Sequence, residues 1–234
     1  MTALHPLAPD FTIHLMEGGP EVSPAIMALV DSLWREAQAS NPRLFDGQIF
    51  ARSALSIGPS GLVRRLSGWF VPYRLYHACR RDPTVAEVVG LRAVGVSGRL
   101  RAPGGFIVGR RAATVMDAGR WELVPSGSID STAVHGGIVA ADEILANELR
   151  EEVGLGRDAL TGPPAPLAYV EDVGTGVDDV AFELGTRLEL PAIQRAHAQA
   201  GKEYELLGIT TAADYLALPE DCSIATSRAL LRGL

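Results

Sequence analysis

The sequence predicts an α+β fold built on a mixed sheet, and three observations carry that reading. From residue 88 onward, short β-prone stretches alternate with Gly-rich turns: "EVVGLRAVGVSG", "GGFIVGRRAATV" and "RWELVPSGSID". A helical period then sets in at about Asp142 to Val153, where Ile144, Leu145 and Leu149 fall on one face. Strands and helices go on mixing to the C-terminus without the regular βαβ alternation of a parallel sheet.

Each element follows from local signals. From Ser23 to about Ala39 the chain reads as an amphipathic helix. Ser23 is its expected N-cap, Pro24 its first residue, and Ile26, Leu29, Val30, Leu33 and Trp34 its buried stripe. "NPRLFDGQIFARSALSI" follows, with Asn-Pro and Asp-Gly as turns around short β-prone pieces. Trp34, Phe45 and Phe50 read as core residues. "GWFVPYRLYHACRRDP" is aromatic and basic together, and Arg74, Arg80 and Arg81 in it read as solvated charges. After the central helix come the strands "APLAYVEDVG" and "DDVAFELGTRLEL", a helix at "PAIQRAHAQAG", the strand "YELLGITT" and a closing helix in "SIATSRALLRGL". Residues 1–87 read as an N-terminal extension packed on a core domain of residues 88–234, with no flexible linker between them.

Composition bounds the function. A chain of 234 residues, 47% hydrophobic and 21% charged, is long enough for one large domain or a domain with an extension. A formal net charge of −7 argues against a nucleic-acid partner, whose binding surface is normally basic. Cys79 and Cys222 lie far apart without metal-ligand spacing and read as free thiols of a reducing compartment. The N-terminus lacks the charge and apolar run of a secretory signal, and no stretch is long enough to span a bilayer. A cytoplasmic protein with no membrane partner is expected.

The chemistry concentrates in "NELREEVGL", Asn147 to Leu155. Glu148, Glu151 and Glu152 sit at i, i+3 and i+4, so on a helix they share a face near the end that the macrodipole makes unfavourable for negative charge. Converging carboxylates raise one another's pKa unless a cation sits among them, and an all-oxygen cluster suits Mg²⁺, or Mn²⁺. Taken alone, the pattern is more often a solvated acidic face relieved by Arg150 and Arg157.

The context favours the metal. "NELREEVGL" resembles the second half of the Nudix box, R-E-U-x-E-E-x-G-U with U aliphatic, at every fixed position but the first, where Asn147 replaces arginine. "GRWELVPSGSID" resembles the stretch leading into the box, with Gly127 as its turn. The resemblance covers roughly residues 88–234 and implies a Nudix α/β/α sandwich. The box is irregular: residues around "TAVHGGIV" lengthen it, and Val139 stands where its first glutamate belongs. The resemblance implies that Glu148, Glu151 and Glu152 hold divalent cations and act in catalysis, with the Gly127 carbonyl as a further ligand. Asp178, Asp179 or Glu203 would complete the set.

"NPRLFDGQIFARSAL" and "VPYRLYHACRRDP" resemble the N-terminal extension of a Nudix subfamily acting on nucleoside diphosphate sugars, UDP-glucose and UDP-galactose among them. The expected activity is Mg²⁺-dependent cleavage of such a substrate to a nucleoside monophosphate and a sugar 1-phosphate. Arg52, Tyr73, Arg110 and Arg111 are the expected substrate contacts, with Tyr76 and Phe45 as further stacking candidates. Alternatives stay open: a non-catalytic nucleotide-binding module, or a hydrolase of a prenyl diphosphate, dinucleotide or modified nucleotide. His135, alone in a glycine-rich loop, reads as solvent-exposed. Dimers are common in the family, and the apolar content would allow a homodimer.

Overall fold

The computed structural model describes residues 2–115, 117–201 and 203–233. The strands are β1 (Thr2–Leu15), β2 (Gln48–Ile57), β3 (Val63–Pro72), β4 (Ala93–Ala102), β5 (Gly105–Arg111), β6 (Trp121–Leu123), β7 (Ser126–Ser128), β8 (Val134–His135), β9 (Ile138–Val139), β10 (Ala165–Asp172), β11 (Val177–Gly185) and β12 (Tyr204–Thr210). The helices are α1 (Pro24–Ser40), α2 (Tyr73–Arg81), α3 (Pro83–Val89), α4 (Ala141–Glu148), α5 (Leu190–His197), α6 (Ala212–Ala217) and α7 (Ala225–Arg232).

The mixed sheet expected from the sequence is present. β4 runs parallel to β11 and β1 parallel to β3, while the other pairings are antiparallel. Strand β1 closes a circuit: it pairs with β3 on one side and β10 on the other, so β10–β11–β4–β2–β3–β1 returns to β10. The circuit is thinnest between β2 and β4, which share one Cα pair, Ala51 and Ala93. Further along, β4 exchanges that neighbour for β7 and then β5.

Alternation sets the two faces of β4. Val94, Val96 and Leu100 enter the main core with Val180 and Phe182 of β11, Leu7, Ile13, Phe50 and Leu66 of β1–β3, and Ile144, Leu145 and Leu149 of the central helix. On the opposite face of β10 and β11, Tyr215 and Leu230 of α6 and α7 pack against Ala168, Val170 and Ala181. A third cluster joins α1, α2 and α3 through Val30, Leu75 and Val85. Each such fully buried aliphatic side chain contributes about 1.5–3 kcal/mol.

Local signals explain the helix boundaries. The Ser23 hydroxyl accepts from the Ile26 N–H, and Pro24 opens α1. Asp82 caps α3 by accepting from Thr84 and Val85, and Gly90, at φ 60°, ends it. This cap makes "EVV" the last turn of a helix, not the start of a strand, and the strand begins at Ala93. The expected boundary between residues 87 and 88 therefore falls inside α3. Phe45, expected in the core, is 82% exposed. Its loop is held instead by Asp46, which accepts from the Arg74 backbone and pairs with its guanidinium, leaving the ring to project outward.

The central helix differs from a uniform α-helix. After Glu148 it widens into a π-turn, Leu149–Val153, which Gly154 ends at φ 77°. Among the described residues no helix is long and apolar enough to cross a membrane. Both cysteines are free.

Candidate functional site

Two glycines on adjacent strands make room for the site. Val96 of β4 lies opposite Gly127 of β7, and Gly95 opposite Ser128. A Cβ on Gly127 would overlap the Glu148 carboxylate, and one on Gly95 would sit 2.9 Å from both the Gly127 carbonyl oxygen and Asp179 Oδ1. Absence of both side chains leaves room for Glu148 of α4 against one face of this strand pair and for Asp179 of β11 against the other.

Around them lies a group of buried acids. Glu152 is 2% exposed, and its Oε2 accepts from the Ser126 N–H at 2.9 Å. The Tyr204 hydroxyl lies 2.7 Å from Glu122 Oε1, 3.4 Å from Glu152 Oε1 and 3.2 Å from the Ser126 hydroxyl. A phenol has one proton, so it satisfies one of the two carboxylates at a time. Arg111 pairs with Glu122 and, at 3.0 Å, with Glu203.

This crowding shifts protons. Burial pushes the Glu148 carboxyl up to about 7, and the charges of Glu203, Glu151 and Asp130 add to it. Burial lifts Glu152 well above the ordinary carboxylate range; the Ser126 N–H opposes, while Glu203, Glu148 and Glu122 reinforce. Glu122 is raised by burial against the opposing pull of Arg111 and the Tyr204 hydroxyl. Burial takes Asp179 to about 6, resisted by hydrogen bonds with Thr226 and Ser97 and increased by Glu122 and Asp178.

These groups adjoin a cleft of about 370 Å³. Ile49, Tyr73, Tyr76 and Arg80 line it from β2 and α2, while Arg111, Glu122, Gly127, Asp179 and Glu203 line it from the sheet. The Tyr73 ring stands edge-on to Trp34 at 6.0 Å and tilted to Tyr76 at 5.8 Å, which braces it against rotation. Arg120 lines the cleft as well and is anchored on Asp117 and the Ser223 carbonyl.

The expected site residues divide. Tyr73, Arg111, Gly127, Asp179 and Glu203 line the cleft, and Glu148 abuts it through Gly127. Arg52 and Arg110 are not among its lining residues. Arg52 pairs with Glu171 and lies over the Tyr169 ring, and Arg110 pairs with Glu205 at 3.1 Å on the surface. Asp178 points to the core face, bound by Arg92 and by the Tyr169 hydroxyl at 2.5 Å. His135 sits in the β8–β9 hairpin, 2.9 Å from Glu143, on the exposed surface. The π-turn also separates the three box glutamates: Glu152 turns inward while Glu151 is exposed. Glu122 and Tyr204 were not expected. Alternation puts Glu122 on the face opposite Trp121 and Leu123, which reads as a solvent face, so the sequence gives no cue to its burial. Nothing local marks Tyr204.

A hard dication fits the chemistry of Glu148, Glu152, Glu203 and the Gly127 carbonyl, all oxygen donors, whereas Asp179 lies beside Gly95 on the other face of β4. It would also favour the charged forms of Glu148 and Glu152, which burial disfavours first and the neighbouring acids second. Among the described residues, no three Asp, Glu, His or Cys side chains converge as a ready cation cage. Assembly of a full site therefore requires side-chain rotation, most of all at exposed Glu151.

No protein-family model matches the sequence, and no curated protein matches it. Among solved structures, the chain is similar to a mutT/nudix family protein from Listeria innocua, with 18% identity and a TM-score of 0.43 over 59% of this chain and 88% of that one. It is similar to a C. elegans Ap4A hydrolase, with 14% identity and a TM-score of 0.39 over 59% and 92%. A NUDIX hydrolase from Nitrosomonas europaea gives 12% identity and a TM-score of 0.37 over 76% and 82%. At such distances function must be read from the residues of the site, not from its neighbours.

Proposed function

We propose that this chain is a Mg²⁺- or Mn²⁺-dependent hydrolase of a nucleoside diphosphate sugar, a UDP-sugar by preference. The observation supporting the reading is a row of buried carboxylates beside a cleft whose far wall is aromatic. The preference for a UDP-sugar rests on the resemblance of the N-terminal segments alone. Glu148, Glu152 and the Gly127 carbonyl would hold the ion, with Glu151 rotating inward and Glu203, whose charge already acts on both glutamates, completing the set. When bound, the ion would neutralise the diphosphate and acidify a coordinated water.

The chain's own residues then have distinct tasks. Tyr73 and Tyr76 offer a face for the base, and the brace from Trp34 keeps Tyr73 in place. Arg111, shared between Glu122 and Glu203, sets a fixed positive charge beside the diphosphate. A water oxygen bonds to one phosphorus as the bridging P–O bond breaks. Glu148, the carboxylate against Gly127, accepts the water's proton. The products leave as nucleoside monophosphate and sugar 1-phosphate. The ligand is thus a small molecule, in keeping with a net charge of −7 that disfavours nucleic acid.

A second reading has its own support. The lack of a ready three-acid cage among the described residues, together with Asn147 and Val139 in the box, favours a nucleotide-binding module without catalysis. A panel of nucleoside diphosphate sugars, assayed for monophosphate release with and without Mg²⁺, separates the two. Release that requires the metal is expected. Tight nucleotide binding with no release across the panel would establish the module instead.

A further inference from the structure

The segment between α5 and β12 grips the acidic end of the central helix from behind. A π-turn leaves backbone groups out of the usual helical register, and buried groups of this kind need partners from elsewhere. Here they come from one short stretch of chain. The Gly201 N–H donates to the Glu151 carbonyl at 2.6 Å. His197 Nδ1 lies 2.7 Å from the Glu152 carbonyl, and its Nε2 lies 3.1 Å from the Tyr204 carbonyl. The same imidazole thus lies between the backbones of two residues whose side chains meet at the acid centre, and its neutral ring, with one N–H, donates to one of the two carbonyls at a time.

The approach is close enough to demand glycine on both sides. A Cβ on Gly154 would overlap the Ala196 carbonyl, and a Cβ on Gly201 would lie 2.9 Å from the Glu151 carbonyl oxygen. Both obstacles are backbone, which cannot rotate away. Two glycines and one histidine therefore define a fitted contact, not an incidental one.

We propose that His197 is a positioning residue that fixes the π-turn, and with it the Glu152 carboxylate, relative to Tyr204 of β12. It touches no reacting atom and acts through the Glu152 and Tyr204 backbones. Metal binding enters only through the function proposed above, whereas the fixing of the turn is a property of the metal-free chain. An asparagine at 197 carries its amide nitrogen at the position of Nδ1 and keeps a side-chain N–H donor for the Glu152 carbonyl, and an alanine does not.

The test compares His197→Ala and His197→Asn with the parent. Amide hydrogen exchange, measured without metal or nucleotide, reads the clamp itself. Exchange at Gly154, Leu155 and Gly201 should rise about tenfold or more in His197→Ala while the β4 and β11 amides stay as they were, with His197→Asn close to the parent. Mn²⁺ titration followed by electron paramagnetic resonance then reads the site, with at least tenfold weaker binding expected in His197→Ala and recovery in His197→Asn. If exchange at those three amides in His197→Ala equals the parent's, the clamp is refuted. Should the parent bind no Mn²⁺, the metal reading of the site fails, and the exchange data still decide the clamp. A uniform rise in exchange across the chain would also overturn the proposal, since His197 would then support only global stability.

Discussion

At Gly127 a single hydrogen atom stands where any other residue would place a carbon against the Glu148 carboxylate. Gly127→Ala must displace that side chain toward Glu203 or Glu151, both of which already disfavour its charge. The variant should fold, lose about 1–3 kcal/mol as over-packed sites do, and lose at least about tenfold in turnover, measured by urea unfolding beside the nucleotide-sugar assay. Full turnover in Gly127→Ala would mean that the position of Glu148 does not matter. Glu148→Gln and Glu152→Gln should each cut turnover by about a hundredfold or more, the order seen when a transition-state contact is removed, with nucleotide binding retained. The three box glutamates were legible because helical spacing is a local property of sequence. Glu122 and Tyr204 were not, because they meet only when β6 and β12 pair with opposite edges of β5. Arg52 and Arg110 were plausible by charge alone, but charge carries no direction. One is claimed by Glu171 and the other by Glu205.

Among the elements, a cap is a local signal that neighbouring residues can mask. Ser23–Pro24 marks the start of α1, whereas at α3 the β-prone valines after Asp82–Pro83 compete with an equally local cap. Asp82→Ala removes the acceptor for two N–H groups and should cost about 1 kcal/mol in thermal or urea unfolding, with the cleft intact. The lengthened segment before α4 became the β8–β9 hairpin, whose β9 pairs with Ile13 and His14 of β1. The irregularity of the box thus serves the sheet. His135 at its tip has Glu143 as its partner and lies outside the cleft lining. His135→Ala should leave turnover unchanged and stability within about 0.5 kcal/mol. A large loss of turnover would place His135 among the reacting groups. The π-turn is the least legible element, because "LREEV" is as good an α-helix by periodicity. The contacts that hold it, from the Gly201 N–H and the His197 ring, come from a segment far along the chain.

Over the whole molecule, burial of the acid centre has a pH signature. Glu148 is raised to about 7 and Asp179 to about 6, and Glu122 and Glu152 shift upward too, chiefly because burial penalises their charged forms. The folded chain therefore holds protons that the unfolded chain has released. For a group with a raised folded-state pKa, the stabilisation is complete below the unfolded value and is lost as pH rises through the folded one. Without metal, stability should thus increase as pH falls from about 8 toward about 5, the window set by these shifts. The gain has an acid limit. Glu171 has a depressed folded-state pKa: burial alone would raise it, but its bonds with Arg52 and His5 prevail. Its contribution is lost as pH falls through that lowered value, so it opposes the trend at the acid end. The measurement is the urea midpoint as a function of pH, for the metal-free parent and for Glu148→Gln combined with Asp179→Asn. The parent's midpoint should climb on acidification, and the double variant should flatten the limb above about pH 6, because neutral amides have nothing to titrate. Saturating Mg²⁺ should flatten the same limb in the parent by another route, replacing the missing protons with a dication. A parent midpoint that is level or falls between pH 8 and pH 5 would show that these carboxyls titrate alike in the folded and unfolded chains. The acid centre would then be an ordinary hydrated patch with no strain for a cation to relieve.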